Sequence, residues 1–243
     1  MRLTRVFVEE PLASGGRCLI SGGAANHMVR VLRLAIGAAV TLFDGAGGEY
    51  AARIESLRKD AVLIDVGAFA AVERESPLAV TLAQGISRGE RMDWVIQKAT
   101  ELGVRRIVPL ITQRSVVRLD ARQAEKKSQH WRGITIAACE QCGRNRLPEL
   151  SAPVDLKEFL GSEADAEGVR LLLSPAGSVR IGEIKSLQKL ILLIGPEGGL
   201  APEEGDAAMA QGFVGVRLGP RILRTETAAI AALAALQHAF GDL

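Results

Sequence analysis

The segment KLILLI at Lys189–Ile194 runs directly into Gly195-Pro196-Glu197-Gly198-Gly199, and this stretch decides the fold. An apolar run without polar alternation favours a strand that is buried on both faces, as in a parallel sheet. Ligands bind in such sheets at the carboxyl ends of the strands. The sequence therefore predicts a binding site at 195–199, completed by the later segment LGPRILRTET at 218–227.

Outward from this strand, apolar strands alternate with amphipathic helices over the C-terminal two thirds of the chain. Alternation of this kind indicates parallel βαβ units and an α/β fold. The predicted strands are Val80–Gly85, Ile107–Ile111 and Arg170–Leu173, and the predicted helices are Arg91–Leu102, a long helix capped by Asp120 and ending near Gln141, and Ala228–Phe240 capped by Thr225 or Thr227.

In the N-terminal part, the spacing of the apolar residues is that of β-strands and not of alternating strands and helices. A strand at Leu3–Val8, a hairpin between Val40 and Ile54 and a strand at Ala61–Val66 predict a small, barrel-like β domain. The turn Gly45–Gly48 could be a phosphate loop, but no helix start and no Lys-Ser/Thr pair follow it, so a hairpin turn is preferred. A short helix at Asn26–Arg33 should turn Met28, Val29 and Leu32 inward.

The polar segment Glu73–Pro77 is the best candidate linker, because the proline disfavours helix at the residue before it. We expect a small β-barrel domain at 1–72, a linker at 73–77 and an α/β domain at 78–243. A chain of 243 residues with 48% apolar content is long enough for two such cores.

Charge is distributed unevenly along the chain. Residues 105–146 contain ten basic and three acidic side chains, although the formal net charge is only +2. The basic residues are 23 Arg and 7 Lys, and arginine suits planar contacts to phosphates and base edges. An anionic polymer along this segment and a solvated basic helix both fit the pattern.

Several classes are excluded or disfavoured. No apolar run approaches the ~18 residues of a membrane span, and the N-terminus lacks a signal-peptide core, so we expect a cytoplasmic protein without a membrane segment. Cys18, Cys139 and Cys142 fit a reducing compartment, and the single CxxC lacks a second ligand pair, so we expect no metal.

Neither GxGxxG nor GxxxxGK[ST] is present. Glu203 and Glu204 would make the helix start after Pro202 acidic, which favours a ligand with a cationic centre over a phosphate.

Five blocks together resemble a known family. LLIGPEGGL at 192–200 and LGPRILRTETA at 218–228 look like the paired signature of the bacterial 16S ribosomal RNA uracil-N3 methyltransferases of the SPOUT class. The other matching blocks are His27 with VLR at 31–33, RMDWVIQKATELG at 91–103 and EQCGRNR at 140–146. The resemblance covers nearly the whole chain. One departure is Ala201, where relatives often have a serine that caps the helix.

The resemblance implies a PUA-like β-barrel that helps to hold RNA and a SPOUT α/β domain whose chain forms a trefoil knot. It implies a homodimer that acts on 16S rRNA of the small ribosomal subunit, at a uridine near the decoding site. S-adenosyl-L-methionine is implied as the cofactor, bound between three strand ends. The implied cofactor residues are Leu173, Ser174, Pro175, Gly195, Pro196, Glu197, Gly198, Gly199, Leu218, Gly219, Ile222, Leu223, Arg224 and Thr225.

Methylation of uridine N3 requires loss of the N3 proton, which a carboxylate can accept or an arginine can favour by stabilising the anion. The candidate catalytic residues are Arg224, Glu226, Glu140 and Arg144. Arg224 is preferred for anion stabilisation or target positioning, and Arg144 is preferred for contacting the nucleobase or its phosphate. The candidate RNA-binding residues are Arg2, Arg5, His27, Arg30, Arg33, Arg114, Arg118, Arg122, Arg144 and Arg146. Two rival hypotheses stay open, namely a SPOUT enzyme with another RNA nucleoside target and a non-catalytic RNA-binding assembly factor.

Overall fold

The computed structural model describes residues 4–115, 119–164 and 167–243, which form two units. The first unit contains the residues up to Glu75 together with Cys139–Leu147, and the second contains Ser76–Ala138 and Pro148–Leu243. The sequence-based limits 1–72, 73–77 and 78–243 assign 139–147 to the C-terminal domain, and these limits stay a prediction.

The first unit is built on one five-stranded sheet with the strand order β1-β3-β4-β5-β2. All neighbours are antiparallel except β1 and β3. The strands are β1 Thr4–Phe7, β2 Arg17–Ser21, β3 Ala39–Phe43, β4 Glu49–Leu57 and β5 Ala61–Ala70. The predicted hairpin is confirmed, because β3 pairs with β4 and the glycine-rich segment 44–48 is their turn. Alternating burial packs Leu42, Ile54 and Ile64 into one apolar core.

The helix of this unit differs from the prediction. Helix α1, Gly22–Asn26, continues as one π-helical turn over His27–Val31, in which the N–H of Leu32 reaches the carbonyl of His27 at 3.0 Å. A π turn changes the rotation per residue, so the expected α-helical stripe is lost. Met28 is buried as expected, whereas Leu32 is 39% exposed, so its predicted inward orientation is wrong.

The second unit is built on an eight-stranded, entirely parallel sheet in which strands β11-β13-β10-β12-β6-β7-β8 follow one another and β9 also pairs with β7. Its strands are β6 Ala79–Gly85, β7 Arg106–Ile111, β8 Glu149–Leu150, β9 Val154–Asp155, β10 Val169–Leu173, β11 Val179–Arg180, β12 Lys189–Ile194 and β13 Val214–Arg217. Its helices are α2 Glu90–Glu101, α3 Ala121–Cys142 (whose last residues belong to the first unit), α4 Leu156–Ser162, α5 Pro202–Ala210 and α6 Thr225–Phe240. The predicted α/β class with a parallel sheet is confirmed.

Strand β12 lies inside this sheet, with β10 on one side and β6 on the other. Its five aliphatic residues are buried on both faces, as the unbroken apolar run predicts. Leu192 contributes to a core with α2 and α6, and Leu193 contributes to a core with α4 and α5 on the opposite face. Helices therefore cover both faces, and truncating either leucine to alanine should cost about 2–5 kcal/mol.

The helix ends in the second unit follow local capping rules in part. Asp120 Oδ1 accepts the N–H of Gln123 at 2.8 Å, so the predicted cap of α3 is confirmed. Pro202 is the first residue of α5, as predicted. The predicted threonine cap of α6 is wrong, because the N-cap residue is Arg224 and both threonines lie inside the helix. None of the helices in the described ranges combines the length and the apolarity that a membrane crossing requires.

Candidate active site

Three parallel strands of the second unit end at the same edge of the sheet and surround one cavity. Strands β10, β12 and β13 end at Leu173, Ile194 and Arg217, and the loops that follow them line a cavity of about 910 Å³ together with the start of α6. This volume lies within the range of small-molecule sites, and the carboxyl edge of a parallel sheet is where such sites form.

All fourteen residues predicted to bind the cofactor line this cavity. They come from the three loops and from the first turn of α6, so segments as far apart in the chain as Leu173 and Thr225 meet at one place. The lining is the loop residues 173–175, 195–199, 218–219 and 222–225 with their neighbours. Their role in binding a cofactor stays a prediction.

The loop after β12 depends on glycine at two positions. A Cβ on Gly195 would lie 2.8 Å from the backbone nitrogen of Leu200 and 2.9 Å from the carbonyl carbon of Gly199, and backbone atoms cannot move aside as a flexible side chain can. Gly199 has φ +67°, a left-handed conformation that side chains disfavour. The loop therefore folds tightly on itself, and its glycines form part of the cavity wall.

A buried polar network holds the carbonyl group of Gly195, and sequence analysis missed its central residue, Gln84. The Thr225 hydroxyl donates to the Gly195 oxygen at 2.7 Å, and Gln84 Nε2 donates to Thr225 Oγ1 at 2.9 Å and to Gly195 O at 3.3 Å. Gln84 is fully buried at the end of β6. Its Oε1 atom has no hydrogen-bond partner among the described residues. The only signal in the sequence is one amide side chain in the otherwise largely apolar segment VTLAQG.

Glu197 is anchored by α2 and its preceding loop. Its Oε1 accepts the backbone N–H of Arg88 at 2.9 Å and Arg91 Nη1–H at 2.8 Å. Burial by itself raises the pKa of the Glu197 carboxyl, but these hydrogen bonds and the charge of Arg91 outweigh it and hold the pKa below its ordinary value. In the sequence, Arg91 stands out only as the first residue of one block that resembles the family. The structure places it in the cavity wall.

Two of the predicted catalytic residues line the same cavity. The Arg224 side chain is exposed beside it, directly before α6. Glu226 is mostly buried, its Oε1 lies 3.9 Å from Arg91 Nε, and its Oε2 has no hydrogen-bond partner within the described part of the chain. A buried carboxylate oxygen without a donor is costly to retain, so this atom is available to a hydrogen-bond donor of a ligand.

The other two predicted catalytic residues belong to the first unit. Arg144 is 3% exposed, and its guanidinium is paired with both carboxylate oxygens of Glu75. Glu140 accepts the backbone N–H of Phe7 at 3.0 Å, and burial raises the pKa of its carboxyl despite the nearby charges. Neither residue is among those that line the cavity. Their catalytic roles stay a prediction.

The predicted RNA-binding residues differ in accessibility. Arg5 is 8% exposed, pairs with Glu49, donates to Asn145 and lies over the ring of Phe43. Arg114 is exposed and donates to the carbonyl of Gly198 at 3.1 Å. The remaining exposed residues of the set are His27, Arg30, Arg33, Arg122 and Arg146, whereas Arg2 and Arg118 lie outside the described residues. Their contacts with RNA stay a prediction.

The CxxC pair lies in the last turn of α3. Cys139 is fully buried, and a hydrogen bond with Cys142 and burial raise the pKa of its thiol. A thiol with a raised pKa is a poor nucleophile and a poor metal ligand. Within residues 4–115, 119–164 and 167–243, no cluster of three or more His, Cys, Asp or Glu side chains could hold a metal ion.

Comparison with known proteins identifies the class. The model of an RNA methyltransferase domain matches residues 74–237, and the model of an RNA methyltransferase PUA domain matches residues 20–67. The two units and their matches define an RNA methyltransferase with a parallel-sheet α/β domain and a PUA-like N-terminal β domain, as predicted, whereas the SPOUT class and the trefoil knot stay a prediction.

Individual relatives refine this class. Ribosomal RNA small subunit methyltransferase E of Buchnera aphidicola subsp. Schizaphis graminum is 33% identical over 100% of this chain and 98% of its own length, and that of Bacillus subtilis is 35% identical over 98% and 94%. This chain belongs to the ribosomal RNA small subunit methyltransferase E family.

Two solved structures are similar over their whole length. A Legionella pneumophila protein described as a methyltransferase, in complex with the bound cofactor SAM, is 44% identical with a TM-score of 0.95 and 100% coverage of both chains. A ribosomal RNA small subunit methyltransferase E from Neisseria gonorrhoeae, bound to S-adenosyl methionine, is 36% identical with a TM-score of 0.90 and the same coverage.

Proposed function

We propose that this chain transfers the methyl group of S-adenosylmethionine to N3 of one uridine in the decoding region of 16S rRNA. The observation that carries the proposal is the cavity at the ends of β10, β12 and β13, in a chain whose similar structures hold S-adenosylmethionine. The family name of the relatives supplies the substrate class, small-subunit ribosomal RNA.

The residues present fit this cofactor. The tight turn at Gly195 and Gly199 lines the cavity with backbone that carries no side chain, which leaves room for a flat adenine ring. The wall carries the carboxylates of Glu197 and Glu226, and the buried Oε2 of Glu226 has no donor in the described part of the chain. Arg91, Arg221 and Arg224 balance the carboxylates of the wall overall, so the Glu226 oxygen is the local negative charge that suits a sulfonium cation.

The chain's contribution to catalysis is positioning and charge stabilisation. When bound, the cofactor supplies an electrophilic methyl group whose bond to sulfur breaks as the bond to N3 forms, with the electron pair passing to sulfur. The loops around the cavity hold the acceptor in line, which supplies a large share of the rate enhancement. We assign to Arg224 the stabilisation of the negative charge that uridine gains at its carbonyl oxygens when N3 loses its proton. We assign the acceptance of that proton to Glu226, whose side chain also lines the cavity.

Arg224 and Glu226 are preferred over Glu140 and Arg144 because their functional atoms are available. The Glu140 carboxylate accepts a backbone N–H, and the Arg144 guanidinium is neutralised by Glu75 in a buried pair. Releasing Arg144 would leave a buried carboxylate without its partner, which costs several kcal/mol.

The β-barrel domain at 1–72 is proposed to hold RNA, and the chain is proposed to work in the cytoplasm as a homodimer. Exposed apolar side chains of the second unit support self-association, since Trp94 is 57% exposed and Ile222 is 84% exposed. Light scattering with size-exclusion chromatography tests the dimer, and a monomer at micromolar concentration would contradict it.

The deciding experiment is mass spectrometry of nucleosides from the 16S rRNA of a strain that lacks this gene. We expect N3-methyluridine to disappear and to return when the gene is restored. Unchanged N3-methyluridine together with loss of another methylated nucleoside would favour the alternative RNA target. Calorimetry with S-adenosylmethionine distinguishes an enzyme from a non-catalytic assembly factor. An assembly factor has no need to bind the cofactor, so absence of binding would contradict the enzyme hypothesis.

A further inference from the structure

Two arginines stand side by side at the carboxyl edge of the parallel sheet, outside the set of predicted site residues. Strands β11 and β13 are parallel neighbours, and Arg180 is the register partner of Arg217. Each arginine is the last residue of its strand. Register partners in a sheet project from the same face, so the two guanidinium groups leave the sheet together.

This arrangement is electrostatically unfavourable unless an anion is present. Like charges directly opposite each other in a sheet destabilise it. Among the described residues, no carboxylate forms an ion pair with either guanidinium. Glu183, three residues after Arg180, uses Oε2 to accept the backbone N–H of Arg180 at 2.9 Å.

The pair lines a second cavity that joins the first. This cavity has a volume of about 680 Å³ and contains Arg180 and Arg217 in its wall. It shares Pro175, Leu218 and Gly219 with the larger cavity, so the two are contiguous. A ligand in the second cavity is therefore adjacent to whatever occupies the first.

We propose that Arg180 and Arg217 together bind one phosphodiester group of the RNA next to the nucleotide that is methylated. This inference rests on the proposed function and adds a specific contact to it. Two planar guanidinium groups match the oxygens of a phosphate, and arginine is the residue best suited to this geometry. Strand β11 is the outer strand of the sheet and Arg180 is exposed, so a polymer can pass along this edge. The carboxylate of the cofactor is a second oxyanion of similar size, and the experiment separates the two sources.

The test measures RNA affinity as a function of salt concentration for the wild type, Arg180→Gln, Arg217→Gln and the double variant. A fragment of 16S rRNA that contains the target uridine is the probe. We expect RNA affinity to fall severalfold in each single variant. In the double variant, the slope of log affinity against log salt should become shallower by about 0.7 to 0.9, the contribution of one phosphate. The affinity for S-adenosylmethionine should stay within twofold in all of them.

Lys157→Gln is the matched control, because it also removes one exposed positive charge. Lys157 lies on α4, which contacts β7 and β9, toward the edge of the sheet opposite to β11 and β13. It should leave the salt slope unchanged. A loss of cofactor affinity with an unchanged salt slope would assign the pair to the cofactor's carboxylate and overturn the proposal. Unchanged values for both ligands would show a solvated pair and would also overturn it. Absence of methylation by the wild type would count against the proposed function alone, because RNA binding is measured without turnover.

Discussion

The hydroxyl of Thr225 donates a hydrogen bond of 2.7 Å to the carbonyl oxygen of Gly195, so the first residue of α6 is tied to the end of β12. The same hydroxyl accepts a hydrogen bond from the buried amide of Gln84. The Thr225 side chain thus connects the loop after β12 with the start of α6. A substitution can remove its hydroxyl without changing its shape.

Thr225→Val keeps the shape of the side chain and removes the hydroxyl. Because the Gly195 oxygen and the Gln84 amide each lose a buried partner, we expect the free energy of unfolding to fall by about 1–3 kcal/mol. The affinity for S-adenosylmethionine should fall as well, since the Gly195 loop is no longer fixed. Chemical denaturation and calorimetry measure the two effects. Thr227→Val, at an exposed position in the same turn, should change neither quantity appreciably. Equal effects in both variants would rule out the role assigned to the Thr225 hydroxyl.

Gly195→Ala tests whether the loop after β12 shapes the ligand site. The added Cβ would meet backbone atoms at 2.8 and 2.9 Å, so the loop must shift. We expect cofactor affinity to fall by at least about tenfold, equivalent to about 1.4 kcal/mol. The control is Gly133→Ala in α3, where a Cβ would meet open space, and it should be neutral or slightly stabilising. Unchanged affinity in Gly195→Ala would mean that the ligand does not depend on this loop.

Arg224→Ala tests the proposed stabilisation of the uridine anion. We expect turnover to fall by about a hundredfold or more, by analogy with the loss of one donor to a developing oxyanion, while cofactor affinity changes only severalfold. Arg224→Lys keeps the charge but not the planar fork, so it should recover part of the rate. The measurements are single-turnover methylation of an rRNA fragment and calorimetry. If turnover and cofactor affinity fall together, Arg224 belongs to the cofactor site instead.

The acid sensitivity of the fold should depend in part on Glu197. Its pKa is lowered in the folded state, so the carboxylate stabilises the fold above the ordinary carboxyl pKa range, and this stabilisation is lost as pH falls through the lowered value. The difference in Tm between the wild type and Glu197→Gln should therefore be largest at neutral pH and should shrink in acid. Glu203→Gln removes an exposed carboxylate that makes no ion pair within the described ranges, and serves as the control. A difference in Tm that does not vary with pH would contradict this prediction.

The sheet and the position of its cavity were predictable because a strand that is buried on both faces has an unbroken run of apolar residues. The run KLILLI gives β12 with both faces buried, and the glycines after it indicate the turn. The Gln84 network was not predictable, since one amide in an apolar strand does not reveal partners that lie more than a hundred positions away. The π-helical turn after Asn26 was also missed, because the apolar spacing there fits an ordinary helix.

The pairing of charges was equally hidden. Arg5 and Arg144 are arginines of the kind that bind RNA on a protein surface. In the structure both are buried, and each forms an ion pair with a glutamate. These partners, Glu49 and Glu75, are 44 and 69 positions away in the chain. Sequence alone therefore identified where basic residues are concentrated but not which of them remain exposed.

Ala201→Ser should stabilise the second unit through the first turn of α5. Ala201 is the N-cap residue with extended backbone angles, and its side chain makes no capping hydrogen bond. One half of a capping box already exists, because Glu204 Oε2 accepts the N–H of Ala201 at 2.8 Å. A serine oxygen at this position can accept the free N–H groups of the first turn, so we expect a gain of about 0.5–1 kcal/mol in the free energy of unfolding, measured by chemical denaturation. Ala210→Ser at the other end of α5 adds the same hydroxyl without a cap and should give no gain. Because Ala201 is only 5% exposed, a loss of stability in Ala201→Ser would mean that the buried site cannot accommodate the oxygen, and that Glu204 alone is the better solution for this helix.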